Sequence, residues 1–126
     1  MNFGITRLIE DLHELGYNQT EPFSDGGGNA FALIKDFEVR ASRFTGRKID
    51  LAIPAPPDYG RLVGAAIHVR STPPLLDTPD TVPGQKNITA SALGPDWRYW
   101  SHQFTYYPED TTMHLMLQIN GVFKYA

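Results

Sequence analysis

The chain has 126 residues, a net charge of −3, and 41% hydrophobic and 20% charged residues. That is enough chain for one domain, 1–126, with the balance of a globular protein. No basic run follows a nucleic-acid backbone, and no apolar run approaches the ~20 residues needed to span a bilayer, so neither nucleic acid nor membrane is an expected partner.

Cysteine is absent, which removes disulfides, thiolate nucleophiles and cysteine metal sites together. The four histidines, His13, His68, His102 and His114, include no pair at i, i+4 spacing, and no HExxH motif occurs. Neither a metal nor a cofactor is therefore expected. Glu10, Asp11 and Glu14 fall inside the apolar pattern of the N-terminus, which argues against a signal peptide and for a cytoplasmic location.

In chain order, Ile5, Leu8, Ile9, Leu12 and Leu15 recur at helical spacing, with Arg7, Glu10, Asp11 and Glu14 on the opposite side. The pattern predicts an amphipathic helix of about three turns that Gly16 stops. His13 belongs to its solvated side, and Arg7 is the natural contact for a docking partner. Residues 18–29 carry Pro22, Ser24, Asp25 and Gly26-Gly27-Gly28 and read as a loop. The glycines lack the GxxxxGK[ST] pattern and precede a strand, so a hairpin or linker is expected, not a phosphate cradle.

Phe37 and Val39 alternate with charged neighbours, as do Ile49, Leu51 and Ile53, giving two half-buried strands. Pro54-Ala55-Pro56-Pro57-Asp58-Tyr59-Gly60 interrupts regular structure. Val63 to Arg70 reads as a third strand with Ile67 and Val69 on one face and His68, expected to be exposed, on the other. Prolines and glycines punctuate Ser71 to Pro95, which reads as a long irregular segment of the kind that often carries function. Leu115, Met116, Ile119, Val122 and Phe123 mark a final helix, capped by Thr111 or Thr112, with its methionines as core filler and His114 exposed. The order is helix, three strands with room for a fourth, irregular loop, helix: an α+β fold with an antiparallel meander and helices on one side.

Trp97 to Pro108, WRYWSHQFTYYP, concentrates two Trp, three Tyr and one Phe around the adjacent Ser101 and His102. Aromatic residues at this density fill a core or line an interface, and the hydroxyl and imidazole raise the question of nucleophilic chemistry.

Pro54 to Pro74 resembles the ubiquitin-conjugating (UBC) family, whose members have an N-terminal helix, an antiparallel meander, a turn often reading PPDYP, a long flap holding the active site, and C-terminal helices. Pro56-Pro57-Asp58-Tyr59 sits between the second and third expected strands, where the resemblance puts it. Tyr106-Tyr107-Pro108 is similar to the family's helix entry. Trp97, Trp100, Ser101 and His102 are similar to a W-x-x-W-S-x-H pattern of a bacterial branch, with the histidine one place early. The resemblance implies transferase chemistry in a ubiquitin-like conjugation pathway. Its implied partners are a ubiquitin-like modifier, an adenylating activating enzyme docking near the first helix, and a JAB-type peptidase, in a setting sometimes linked to antiphage defence.

The chain departs from the family in having Gly60-Arg61-Leu62-Val63-Gly64 after the turn, no His-Pro-Asn tripeptide and no catalytic cysteine. Three explanations stay open: a non-catalytic adaptor, a sequence in which serine or alanine replaces a native cysteine, and a carrier that holds the modifier as a serine oxyester. For the last, the spacing to Pro108 favours Ser101 over Ser91. His102 is its neighbour, although adjacent side chains usually point apart, and His68 or a partner's base is the alternative. Asp96 is placed to orient an imidazole, and Asn87 or backbone amides to supply an oxyanion site. Arg7, Pro57, Tyr59, Trp97 and Trp100 are the candidate partner contacts. Two further readings are a binding module whose aromatic loop packs on a protein, and a small hydrolase using Ser101, which no GxSxG elbow supports.

Overall fold

A computed structural model describes residues 3–24, 27–39, 45–71, 88–91, 93–100 and 102–124. The described residues form helix α1 (Ile5–Glu14), strands β1 (Thr20–Ser24), β2 (Ala30–Glu38), β3 (Lys48–Pro54), β4 (Ile67–Arg70), β5 (Ile88–Ser91) and β6 (Gly94–Trp100), and helix α2 (Thr111–Lys124). The strands make one sheet in the order β1-β2-β3-β4-β6-β5, with every neighbouring pair antiparallel. The first four strands are a meander. The β5–β6 hairpin then extends it by pairing its second strand with β4, so β5 becomes an edge.

Both helices pack on the same face of the sheet. Leu8 and Leu12 of α1 and Leu115, Met116, Ile119, Val122 and Phe123 of α2 meet Ile34, Phe37, Ile49, Leu51, Ile53, Ile67, Val69 and Trp100 in one core. Each large side chain removed from water here contributes ~1.5–3 kcal/mol. The apolar spacing predicted for both helices is thus the spacing that docks them. α1 ends where Gly16 takes a positive φ of 99°, and Tyr17 N–H donates to the Leu12 carbonyl at 2.9 Å, which closes the helix C-terminus. Leu15 lies at the C-cap and is 42% exposed.

The α+β layout with a helix at each end and an antiparallel sheet matches the sequence reading, but several local expectations do not. Thr20–Ser24 is a strand, not part of a loop. Pro22 marks it as irregular in sequence, yet β1 is an edge strand, where a missing donor costs no ladder bond. Gly27 and Gly28 therefore lie in a hairpin connection between β1 and β2. The irregular segment is shorter than expected, because β5 and the start of β6 fall inside Ser71–Pro95; residues 72–87 lie outside the described residues. The strand expected from Val63 begins only at Ile67, since Ala66 takes a positive φ of 69°.

The two threonines that open α2 bond elsewhere than a cap would. Thr111 Oγ1 donates to the Tyr107 carbonyl at 2.6 Å and Thr112 Oγ1 to Asp11 Oδ2 at 2.7 Å. His114 is half-buried and stacks on Tyr107, centroids 4.3 Å apart. The largest correction concerns His68, which is only 8% exposed. Alternation correctly puts it on the face away from the helices, but that face is not bare. Phe31, Leu33, Ala52 and Trp97 form a second, smaller core there, with Phe23 and Leu93 packed against it.

Candidate functional site

The Pro56–Gly60 turn, between β3 and β4, is locked to both helices. Tyr59 N–H closes the turn on the Pro56 carbonyl and Gly4 N–H donates to the Tyr59 carbonyl, both at 2.9 Å. The Tyr59 ring is fully buried. Its hydroxyl lies 2.6 Å from Thr112 Oγ1, which donates to Asp11 Oδ2, and Asp11 also takes the Arg7 Nε–H at 2.7 Å. Since Thr112 gives its only proton to Asp11, Tyr59 is the donor to Thr112. A chain of directed bonds therefore runs from the turn through α2 to α1 and ends on a guanidinium.

Burial pushes the Tyr59 phenol up to about 12, because the apolar surroundings disfavour the phenolate. The hydrogen bond to Asp11 raises the Arg7 pKa above its ordinary value. Tyr106 Oη donates to the Gly60 carbonyl at 3.0 Å, which fixes the far side of the same turn. Of the expected partner contacts, Arg7 and Pro57 lie at the surface around this turn. Tyr59, Trp97 and Trp100 are enclosed, so what they offer a partner is the shape of the surface and not the contact itself.

Beside the turn opens a cleft of about 560 Å³. Phe3 and Gly4 before α1, Pro56 and Pro57 of the turn, and Phe31 of β2 line it, with His68 on the sheet behind them. Phe31 and Tyr99 flank the imidazole edge-on, with ring centroids 5.2 Å away in each case. His68 Nδ1 lies 2.6 Å from Ser91 Oγ on β5. Leu93 N–H donates to the same oxygen at 3.0 Å. Ala52, His68, Tyr99 and Thr89 follow one another across β3, β4, β6 and β5, and Ser91, two residues after Thr89, falls on the same face as His68. Farther along the same face, Arg70 grips Asp50 Oδ2 through Nε and Nη2 at 2.9 and 2.7 Å and lies over the Trp97 ring at 4.7 Å.

Ser101 and Asn87 lie outside the described residues. His102 rests on Phe104 with ring centroids 4.6 Å apart, and its carbonyl accepts the Ala66 N–H at 2.7 Å. Its Nδ1 and the indole Nε1 of Trp100 are both enclosed without a hydrogen-bond partner, each at a cost of ~1–3 kcal/mol. The serine–histidine contact that the described residues do contain is Ser91–His68, twenty-three positions apart in sequence. Its signal in the sequence was faint: a histidine on an alternating strand, and a serine three residues before Gly94. Asp96 is exposed at the surface of β6.

Among the described residues no three or more His, Asp or Glu side chains gather as a metal site, and no helix is long and apolar enough to cross a membrane. Comparison with protein-family models, curated proteins and solved structures finds no match.

Proposed function

We propose that the chain is a UBC-like protein of a bacterial ubiquitin-like conjugation pathway, and that it acts there as a protein-binding adaptor for the modifier or its adenylating enzyme. The observation that carries this reading is the Pro56–Gly60 turn. It lies between the third and fourth strands of a meander whose one face is covered by an N-terminal and a C-terminal helix. The hydrogen bonds through Tyr59, Thr112, Asp11 and Arg7 hold the exposed Pro57 and the half-buried Arg7 in fixed relation, as a docking surface beside α1 requires. The absence of cysteine supports an adaptor over a thioester carrier.

A second reading is a carrier that accepts the modifier's C-terminus as an oxyester, with Ser101 as acceptor, and passes it to a target. This reading rests on the spacing of Ser101 to Pro108 in the sequence; the contact between Ser91 and His68 belongs to a different serine.

One experiment separates the two. The protein is mixed with a bacterial adenylating enzyme, its ubiquitin-like modifier and ATP, and followed by sedimentation and denaturing electrophoresis. An adaptor binds one of the two proteins without an adduct, and Pro57→Glu weakens that binding. A hydroxide-labile, thiol-resistant adduct lost in Ser101→Ala establishes the carrier. Absence of both binding and adduct removes the pathway.

A further inference from the structure

We infer that Ser91, with His68 as its base, is a nucleophilic hydroxyl that accepts an acyl group from an activated carboxylic ester. The inference stands apart from the conjugation pathway, since it rests only on the face of the sheet away from the helices.

A serine hydroxyl is a weak nucleophile unless a base lies within hydrogen-bonding reach of its proton. Here Oγ and Nδ1 are 2.6 Å apart, at the short end of the hydrogen-bonding range. Leu93 N–H donates to Oγ at 3.0 Å and so occupies one of its lone pairs. With the imidazole proton on Nε2, the hydroxyl proton points at Nδ1 and a second lone pair remains for attack. The Leu93 amide also stabilises the charge that gathers on Oγ as its proton departs, since hydrogen bonds to ionised groups are the stronger kind.

The surroundings suit the chemistry. Phe31 and Tyr99 hold the imidazole edge-on from two sides, which fixes its orientation and limits water around it. Ser91 is partly exposed, and His68 lines the cleft beside the proline turn. The nearest charges on the described part of this face, Asp50 and Arg70, are bonded to each other. Tyr99 is the other titratable neighbour of the ring.

The step balances with an ester of a good leaving group. The Ser91 Oγ–H proton passes to His68 Nδ1. The oxygen attacks the acyl carbon, the bond from that carbon to the leaving oxygen breaks, and the alcoholate or phenolate departs with the electron pair. The imidazolium then returns its proton to water, leaving an ester on Ser91.

The test uses the full chain with p-nitrophenyl acetate and, separately, a fluorophosphonate, read by p-nitrophenolate release, intact mass and peptide mapping. The expected result is one acetyl or phosphonyl group on Ser91, placed there by peptide mapping. Ser91→Ala abolishes the label, and His68→Gln slows it by about 100-fold, the usual contribution of a general base. Thermal melts of both variants establish that they are folded. Ser91→Thr, which keeps the hydroxyl, retains labelling that still depends on His68, and covers a Ser91→Ala variant that does not fold. The inference is overturned if Ser91 stays unlabelled, if the label lands on His68 or a lysine, or if His68→Gln labels Ser91 as fast as the parent.

Discussion

The two faces of the sheet are built by different rules, and the two tryptophans of β6 show the difference. Trp100 points to the helices, is fully buried and packs against Phe123 with ring centroids 5.2 Å apart. Trp97, three residues earlier, points the other way. It is nearly as buried at 3% exposed, but its neighbours are the Phe23 ring at 6.0 Å and the Arg70 guanidinium at 4.7 Å. One face is closed by apolar side chains from two helices. The other combines a small core with an ion pair and a serine–histidine contact. Polar groups on the helix side, Tyr59, Thr112 and Asp11, are bonded to one another at its edge; on the second face the 8% exposed His68 lies within the sheet and meets Ser91, since a polar group taken out of water needs a partner.

The largest test of this comparison is truncation of the two rings. Trp100→Ala is expected to cost about 5 kcal/mol and Trp97→Ala about 3 kcal/mol, the upper and lower ends of the usual range, because Trp97 belongs to the smaller core. Denaturant unfolding of both variants measures this, and equal costs would mean that the second face is as tightly packed as the first.

The next effect is pH-dependent and belongs to the helix-covered side. The Tyr59 phenol is held at about 12 in the fold against about 10 in an unfolded chain. Because the folded pKa is the higher one, the neutral phenol's contribution is complete below pH 10 and is lost as pH rises from 10 to about 12. The loss amounts to about 2–3 kcal/mol. Melting temperature across that range, in the parent and in Tyr59→Phe, shows it as a steeper fall in the parent than in the variant, the remaining tyrosines and lysines contributing to both. At neutral pH, Tyr59→Phe costs about 1 kcal/mol, since Thr112 loses a donor while the ring stays packed.

Gly60→Ala probes the same turn through the backbone. Gly60 has φ +112°, and an added Cβ would approach the Phe3 ring to 2.9 Å. The substitution is expected to destabilise by about 1–2 kcal/mol, and calorimetry of the variant checks it. The smallest effect is on the open face. Asp50→Asn removes the partner of Arg70, but both groups are partly exposed, so the cost is at most about 1 kcal/mol and shrinks in high salt. A larger, salt-independent loss would show that this face is drier than its exposure indicates.

How much of this was legible beforehand differs element by element. The helices were, because Leu8 and Leu12, and Leu115 and Ile119, repeat at four-residue intervals that only a helix brings to one face. So were β2 and β3, through Phe37, Ile49, Leu51 and Ile53. β1 and β6 were not. Pro22 and Gly94-Pro95 are breakers by local chemistry, and only their positions, on an edge strand and at a strand's start, make them acceptable. Ser91 and His68 were each visible, but Ser91 was set aside on its spacing to Pro108, a linear measure that does not follow the path of a hairpin.

The sequence by itself determined the helices, the alternation of the central strands, the proline turn and the lack of a thiol. All of these depend on residue type and short-range period. Tertiary structure alone decided the strand order β4-β6-β5, the burial of His68 and its contact with Ser91. The reason is physical: which strands become neighbours is set by how the chain covers its apolar faces, and a 2.6 Å contact across three paired strands is a consequence of register, which no local pattern of residues contains.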